Sequence, residues 1–240
     1  HSVSAFCNAG FDIIGPSSLI PYKTDLVINV VIMLLIIIGG LGFTVWFDTI
    51  KVLKLRNKEE NKNRRGFACI VRKMTLHSRV VLTVTAILIV FGAVLFFVFE
   101  HNNPKTLGDL SYPGKILASF MQSVTTRTAG FAAIDQAGMT YASKFLTIIL
   151  MFIGGSPAGT AGGIKTSTIG VLIVAVISII KGKQKLNLFD RSINFSTLQK
   201  ALTIFFIYLF LIVSVTMVLT FTESSLGFEF IDIMFEAGSA

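Results

Sequence analysis

Over residues 26–47 the chain reads LVINVVIMLLIIIGGLGFTVWF, with Asn29 as its only strongly polar side chain. A helix needs about 20 apolar residues to cross a hydrocarbon core about 30 Å thick, so the run reads as a membrane span. Residues 80–99, apolar apart from Thr83 and Thr85, and residues 201–221 read the same way. A fourth span is broken. Residues 145–153 are too few to cross, the stretch GGSPAGTAGG at 154–163 interrupts the run, and 169–180 resumes it. The 240 residues are 53% hydrophobic and 14% charged, against about 45–50% and about 25% in soluble domains. That balance excludes a soluble enzyme or a disordered tail, and two cysteines, Cys7 and Cys69, are too few for a disulfide-rich secreted module.

The net charge of +8 is unevenly spread. Residues 51–79 carry ten Lys/Arg against Glu59 and Glu60, and 181–200 carry five against Asp190, while the rest of the chain sums to −4. Basic loops of membrane proteins face the cytoplasm. If the first span runs inward, both basic stretches fall inside and the connectors 12–25, 100–115, 132–144 and 222–227 fall outside. Cys7 and Cys69 then lie on opposite faces and cannot pair. The absence of an initiating methionine and the stop at Glu236-Ala237-Gly238-Ser239-Ala240 lead to the expectation of an internal piece of a longer chain.

HSVSAFCNAGF at 1–11 and QSVTTRTAGF at 122–131 resemble one another, and EAGSA at 236–240 matches the start of the first. The spacing is close to 118 residues, which is a whole structural unit: a span, an outer connector, a short apolar segment ending in small residues and glycine, and a second span. The short segment, such as 112–126, cannot cross and must begin and end outside, so it is expected to be re-entrant. Non-helical backbone at membrane depth is tolerated only when buried in protein or lining a water-filled cavity. Glycine there permits carbonyls to turn inward, and a ring of carbonyls can replace a cation's hydration shell. Because the copies dip from one face they are parallel repeats, four of which would close a pore.

HSVSAFCNAGFD, QSVTTRTAGFAAID and GGSPAGTAGGIKTST resemble the Trk/Ktr/HKT superfamily of potassium transporters, and most of all the ion-translocating membrane subunit of bacterial Ktr systems. The resemblance covers all 240 residues, from the second pore loop of the family's four to the start of the fourth. It implies an all-α membrane protein with repeated helix, re-entrant pore loop, helix units around a pseudo-fourfold axis. The units are then 1–25 (second pore loop and connector), 26–50 (transmembrane helix), 51–79 (cytoplasmic loop), 80–181 (third unit), 182–200 (cytoplasmic loop) and 201–240 (start of the fourth). Within the third unit the resemblance implies a helix at 80–100, a pore loop at 112–131 and a broken helix at 141–181. It further implies a homodimer in the cell membrane, controlled by a cytosolic ring of nucleotide-binding subunits. Potassium would be carried with or without sodium, and no organic cofactor or nucleic-acid partner is expected.

By this likeness the second filter falls on Asn8, Ala9, Gly10 and Phe11, led by Cys7. The third falls on Thr128, Ala129, Gly130 and Phe131, led by Arg127. Potassium would meet backbone carbonyls at these positions. The likeness also makes Gly154, Gly155, Ser156, Pro157, Ala158, Gly159, Thr160, Ala161, Gly162 and Gly163 an intramembrane gating loop. Glycine costs about 1 kcal/mol and proline about 3 relative to alanine in a helix, so these residues should not hold one. Lys165 either repels cations, anchors the loop or snorkels to the inner surface. Arg127 is expected to turn away from the ion path toward an acid or carbonyls.

Other motifs fail. Gly159 to Thr166 lacks the adjacent Gly-Lys of a phosphate-binding loop, and Gly154-Gly-Ser156-Pro-Ala158 lacks the second glycine of a nucleophile elbow. His1, His77 and His101 have no ligand-spaced partners for a transition metal. Gly40-Leu41-Gly42 reads as close helix packing. Against the potassium reading stand two others: a secondary transporter of a small solute by alternating access, which predicts inverted repeats, and an intramembrane enzyme, for which no catalytic constellation is present. The orientation is checked by impermeant thiol labelling of the full-length protein. Cysteine at Asp109 or Asp135 should react from outside and cysteine at Lys58 or Lys185 only from inside, and labelling of both sets from one face would overturn it.

Overall fold

A computed structural model describes residues 1–15, 17–58, 73–182, 187–188, 191–192, 194–223 and 227–240. Cys69 and most of the basic stretch after Lys58 lie outside the described residues, as does much of 183–193. Nine helices are described: α1 (Ser2–Phe6), α2 (Leu26–Gly40), α3 (Phe43–Lys58), α4 (Leu76–Glu100), α5 (Tyr112–Thr125), α6 (Tyr141–Phe152), α7 (Thr166–Ile180), α8 (Phe195–Thr222) and α9 (Phe230–Ser239). Apart from these there are a single 3-10 turn, Ile20–Tyr22, and a two-residue antiparallel strand pair, Asn187–Leu188 with Arg191–Ser192.

The helix starts follow from the sequence. Asp25 accepts the Ile28 amide at 3.0 Å at the head of α2, Thr75 accepts the Ser78 amide at 3.3 Å for α4, and Thr140 accepts the Ser143 amide at 3.3 Å for α6. Each satisfies one of the amides that a helix start leaves without an intrahelical partner. Pro113, in the first turn of α5, needs no hydrogen-bonded amide there. Of the described helices, α4 and α8 are long and apolar enough to cross a membrane, and the exposed apolar flank of α8 fits contact with lipid.

The first expected span differs from the expectation of a straight helix over 26–50. It breaks after Gly40 and the chain turns by 93° between α2 and α3. Gly40, Leu41 and Gly42 do pack closely, but against the 154–163 loop, and that contact takes the carbonyls that would have continued the helix. The expected break between α6 and α7 is present, with no helix over 154–163.

The core lies around α5, which packs between α2 and α4. Ile32 and Ile36 of α2 join Met121 and Val124 of α5 and Phe131 beyond it in one buried cluster. On the side where α4 ends, Glu100 is fully buried and ties the α4–α5 and α5–α6 connectors together. It accepts from the Asn103 amide side chain at 2.7 Å, the Thr140 amide at 2.9 Å, the Thr140 hydroxyl at 2.8 Å and the Thr106 hydroxyl. A carboxylate with this many donors is held charged although buried. Glu100→Ala leaves those donors buried without an acceptor and should cost about 3 kcal/mol. A thermal unfolding midpoint of the full-length protein in detergent equal to that of wild type would contradict the role.

Candidate functional site

The two segments expected to be filters lie side by side. A Cβ built on Gly130 would sit 2.8 Å from the Gly10 Cα, and one on Gly10 would sit 3.1 Å from the Ala129 carbonyl oxygen. A side chain at Gly130 would collide with Gly10, and one at Gly10 would press on residues 129–130 at a positive φ that disfavours it. The backbone alternates in the same way in both copies: φ is +50° at Asn8 and +70° at Gly10, +69° at Thr128 and +82° at Gly130. Left-handed residues at every second position turn successive carbonyls toward one side. That is the arrangement a carbonyl-lined cation path requires.

Asn8, Ala9 and Gly10 and residues 128–131 line a cavity of about 430 Å³, shared with Gln122, Gln136 and, from α9, Phe235, Gly238 and Ser239. Cys7, Phe11 and Arg127 do not line it. Phe11 and Phe131 match in sequence but differ in place: Phe11 is 80% exposed, and Phe131 is 1% exposed in the cluster between α2 and α5. The difference lies in the walls, since none of the described elements packs over Phe11 as α2 and α5 do over Phe131. Arg127 is 5% exposed and turned toward α4, as expected, but meets neither acid nor carbonyl. Its Nη1 reaches only the Thr85 hydroxyl at 3.5 Å, and its Nε has no partner. The helical approach from α5 carries this side chain toward the neighbouring span instead of the connectors where the acids lie.

The segment expected to be the third filter is pinned by a residue that sequence reading passed over. Thr125 Oγ1 accepts the Phe131 amide at 2.9 Å and donates to the Phe131 carbonyl at 2.7 Å, closing a loop around residues 126–130. Beside it, Gln122 and Gln136 exchange hydrogen bonds of 3.0 and 3.2 Å at the cavity wall. A hydroxyl six residues before the phenylalanine was the available signal for Thr125. Nothing local in the sequence pairs the two glutamines.

The 154–163 loop meets both segments, 8–11 and 128–131, at their first residues. Asn8 Nδ2 donates to Thr160 Oγ1 at 2.7 Å, and that hydroxyl donates to the Phe6 carbonyl at 3.1 Å. The Gly162 amide donates to Thr128 Oγ1 at 2.9 Å. Lys165 folds back to donate to the Ala161 carbonyl at 2.7 Å. Ser156 is fully buried and bonds the Leu41 carbonyl. Gly155 and Thr166 close the far end, where the Thr166 amide donates to the Gly155 carbonyl at 2.9 Å. Among the described residues no cluster of His, Cys, Asp and Glu could hold a transition metal.

Long apolar helices alternating with short ones, and a glycine-rich interruption hydrogen-bonded to the end of α2, define an all-helical membrane protein. Its sequence matches, over residues 1–240, the family described as "TrkH: Cation transport protein", and the chain belongs to that family. It is 41% identical to the potassium/sodium uptake protein NtpJ of Enterococcus hirae, an alignment covering 100% of this chain and 49% of that protein. It is 39% identical to the Ktr system potassium uptake protein B of Bacillus subtilis, with the same coverage of 100% and 49%. The crystal structure of the potassium transporter TrkH from Vibrio parahaemolyticus has the same fold, with a TM-score of 0.65 at 17% identity over 96% of this chain and 46% of that one. The chain thus spans about half the length of the curated relatives it matches. Those relatives are named as transport proteins, not enzymes.

The clamp at Thr125 is testable without transport. Thr125→Val keeps the shape and leaves the Phe131 amide and carbonyl buried without partners, at about 2 kcal/mol, whereas Thr125→Ser retains both bonds. The valine variant of the full-length protein should melt below the serine variant, and equal midpoints would contradict the clamp.

Proposed function

We propose that this chain forms two complete filter segments and the gate of a potassium uptake system in the cell membrane. Potassium passes along the carbonyls of residues 8–11 and 128–131, and the 154–163 loop obstructs the path below them. The observation that carries the reading is the paired backbone: two copies, 120 residues apart, share the same alternation of positive φ and face one cavity. Membership of a cation transport family, and relatives named as potassium uptake proteins, support potassium as the ion. Sodium as an activating or accompanying ion is compatible with the relative named as a potassium/sodium uptake protein. The basic stretches 51–79 and 181–200 face the cytoplasm in this reading, which leaves them able to meet anionic lipid and a cytosolic nucleotide-binding regulatory ring. The membrane subunit pairs as a homodimer, as its resemblance to Ktr systems implies.

Conduction through carbonyls needs no side-chain chemistry. The protein supplies oxygen atoms at a spacing set by backbone angles, and selectivity depends on that backbone keeping its form when the ion leaves. Thr125 holds the outer end of the third filter and Thr128 holds its inner end against the loop.

The test is ion flux through the full-length protein in cells lacking other potassium systems. Gly130→Ser places a side chain against Gly10 and at a φ that disfavours it, so potassium over sodium selectivity should fall at least tenfold, a change of about 1.4 kcal/mol. Deleting 154–163 should raise potassium flux, and since it also removes the bonds to Asn8 and Thr128 it should lower selectivity at the same time. Unchanged selectivity in the first variant would sink the filter, and unchanged flux in a well-folded deletion would sink the gate.

A further inference from the structure

The corner between α2 and α3 leaves backbone groups that a continuous helix would use. The loop takes them. The Ser156 amide donates to the Gly40 carbonyl at 3.0 Å and the Thr160 amide to the Gly39 carbonyl at 3.3 Å. The Phe43 amide donates to the Ala158 carbonyl at 3.1 Å, and the Ser156 hydroxyl donates to the Leu41 carbonyl. Three successive carbonyls at the end of α2 and the first amide of α3 are thereby satisfied by one loop. The approach is so close that a Cβ on Gly42 would lie 2.6 Å from the Pro157 carbonyl oxygen, and Gly42 itself has φ +78°. At its other side α3 is tethered to the start of α4. Asp48 accepts from the Thr75 amide at 2.8 Å and from the Thr75 hydroxyl at 2.9 Å, and Thr44 lies 3.4 Å from His77 Nε2.

We propose that the 39–43 corner is the seat that holds the gating loop against the filters, and that α3 is the arm that sets whether the seat is made. The proposal rests on the gating reading above and adds to it the part that controls the loop. The arm is a 16-residue helix, about 24 Å long, hinged at a glycine. Tilting it carries the Phe43 amide and Leu41 carbonyl away from Ala158 and Ser156. Hydrogen bonds to buried backbone are made or lost over a fraction of an ångström, so the seat has two states. The remaining ties of the loop, to Phe6, Asn8 and Thr128, are at the filter side and do not move with α3.

The experiment measures rubidium influx and potassium over sodium selectivity in the full-length protein, with folded yield alongside. Ser156→Ala removes one seat bond, and Gly42→Ala drives the corner off the loop; each should raise influx, Ser156→Ala by about fivefold, with selectivity unchanged. Asp48→Ala touches neither loop nor filter and frees only the arm, and it should raise influx in the same direction. Wild-type influx in Ser156→Ala and Asp48→Ala, in a protein whose 154–163 deletion is open, would overturn the seat and leave the gate standing. If the deletion itself fails to open the path, the gate fails and the seat falls with it. Should Gly42→Ala not fold, Ser156→Ala and Asp48→Ala still decide.

Discussion

Two residues that are not glycine, Asn8 and Thr128, stand in left-handed backbone just after α1 and α5, and the arrangement around them follows from keeping them there. Asn8 and Thr128 carry φ of +50° and +69°, a region disfavoured for a β-branched residue such as threonine. Strain of this kind persists only where the surroundings over-determine the conformation. Here each strained residue is bonded through its side chain to the broken span, Asn8 to Thr160 and Thr128 to the Gly162 amide. The 154–163 loop thus supports the backbone form of the two segments it lies against, and the loop in turn is supported by the backbone of α2. The paired segments, the loop and the corner form one hydrogen-bonded unit drawn from four separate stretches of the chain.

Such a unit demands backbone contact without side chains between. At the filters this explains why Gly10 and Gly130 face each other directly, and at the corner it explains why a span interrupted by Gly40-Leu41-Gly42 bends at that point. Breaking a helix in lipid costs several unsatisfied carbonyls. The cost is met because a second broken segment arrives with amides to donate. Each break therefore makes the other tolerable, and a continuous helix at either place would leave its partner without donors or acceptors.

The periodic features were legible in the sequence. The apolar runs, the repeat that returns AGF at 129–131 after 9–11, and the glycine-rich interruption at 154–163 each imply a local backbone, and local backbone is what periodicity and glycine report. What escaped is all non-local. Nothing near Gly42 announces a 93° turn, because the turn depends on carbonyls accepting from Ser156 and Thr160 more than a hundred residues away. Glu100 reads as one more charge in an outer connector, although it is buried and gathers Asn103, Thr106 and Thr140. Phe11 and Phe131 look alike in the repeat, yet only the second has a wall to enter. A repeat fixes which residues correspond but not which neighbours surround them.

Three cations, Lys144, Lys165 and Arg127, are met in three different ways. Lys144 of α6 has a carboxylate, Asp232 in the first turn of α9, at 2.6 Å, a contact that locks two neighbouring helices. Lys165 has only a carbonyl, that of Ala161 within the loop it follows. Arg127 has only a distant hydroxyl. A carboxylate beside the filters would bind the passing cation as readily as it binds a lysine, since both are cations seeking the same oxygen. Meeting Lys165 with a backbone carbonyl avoids that competition and leaves its positive charge in place behind the loop. On the gating reading, a seated loop then opposes a cation twice, by its bulk and by the field of Lys165. An unseated loop relieves both at once, since the lysine is bonded to the loop itself and travels with it.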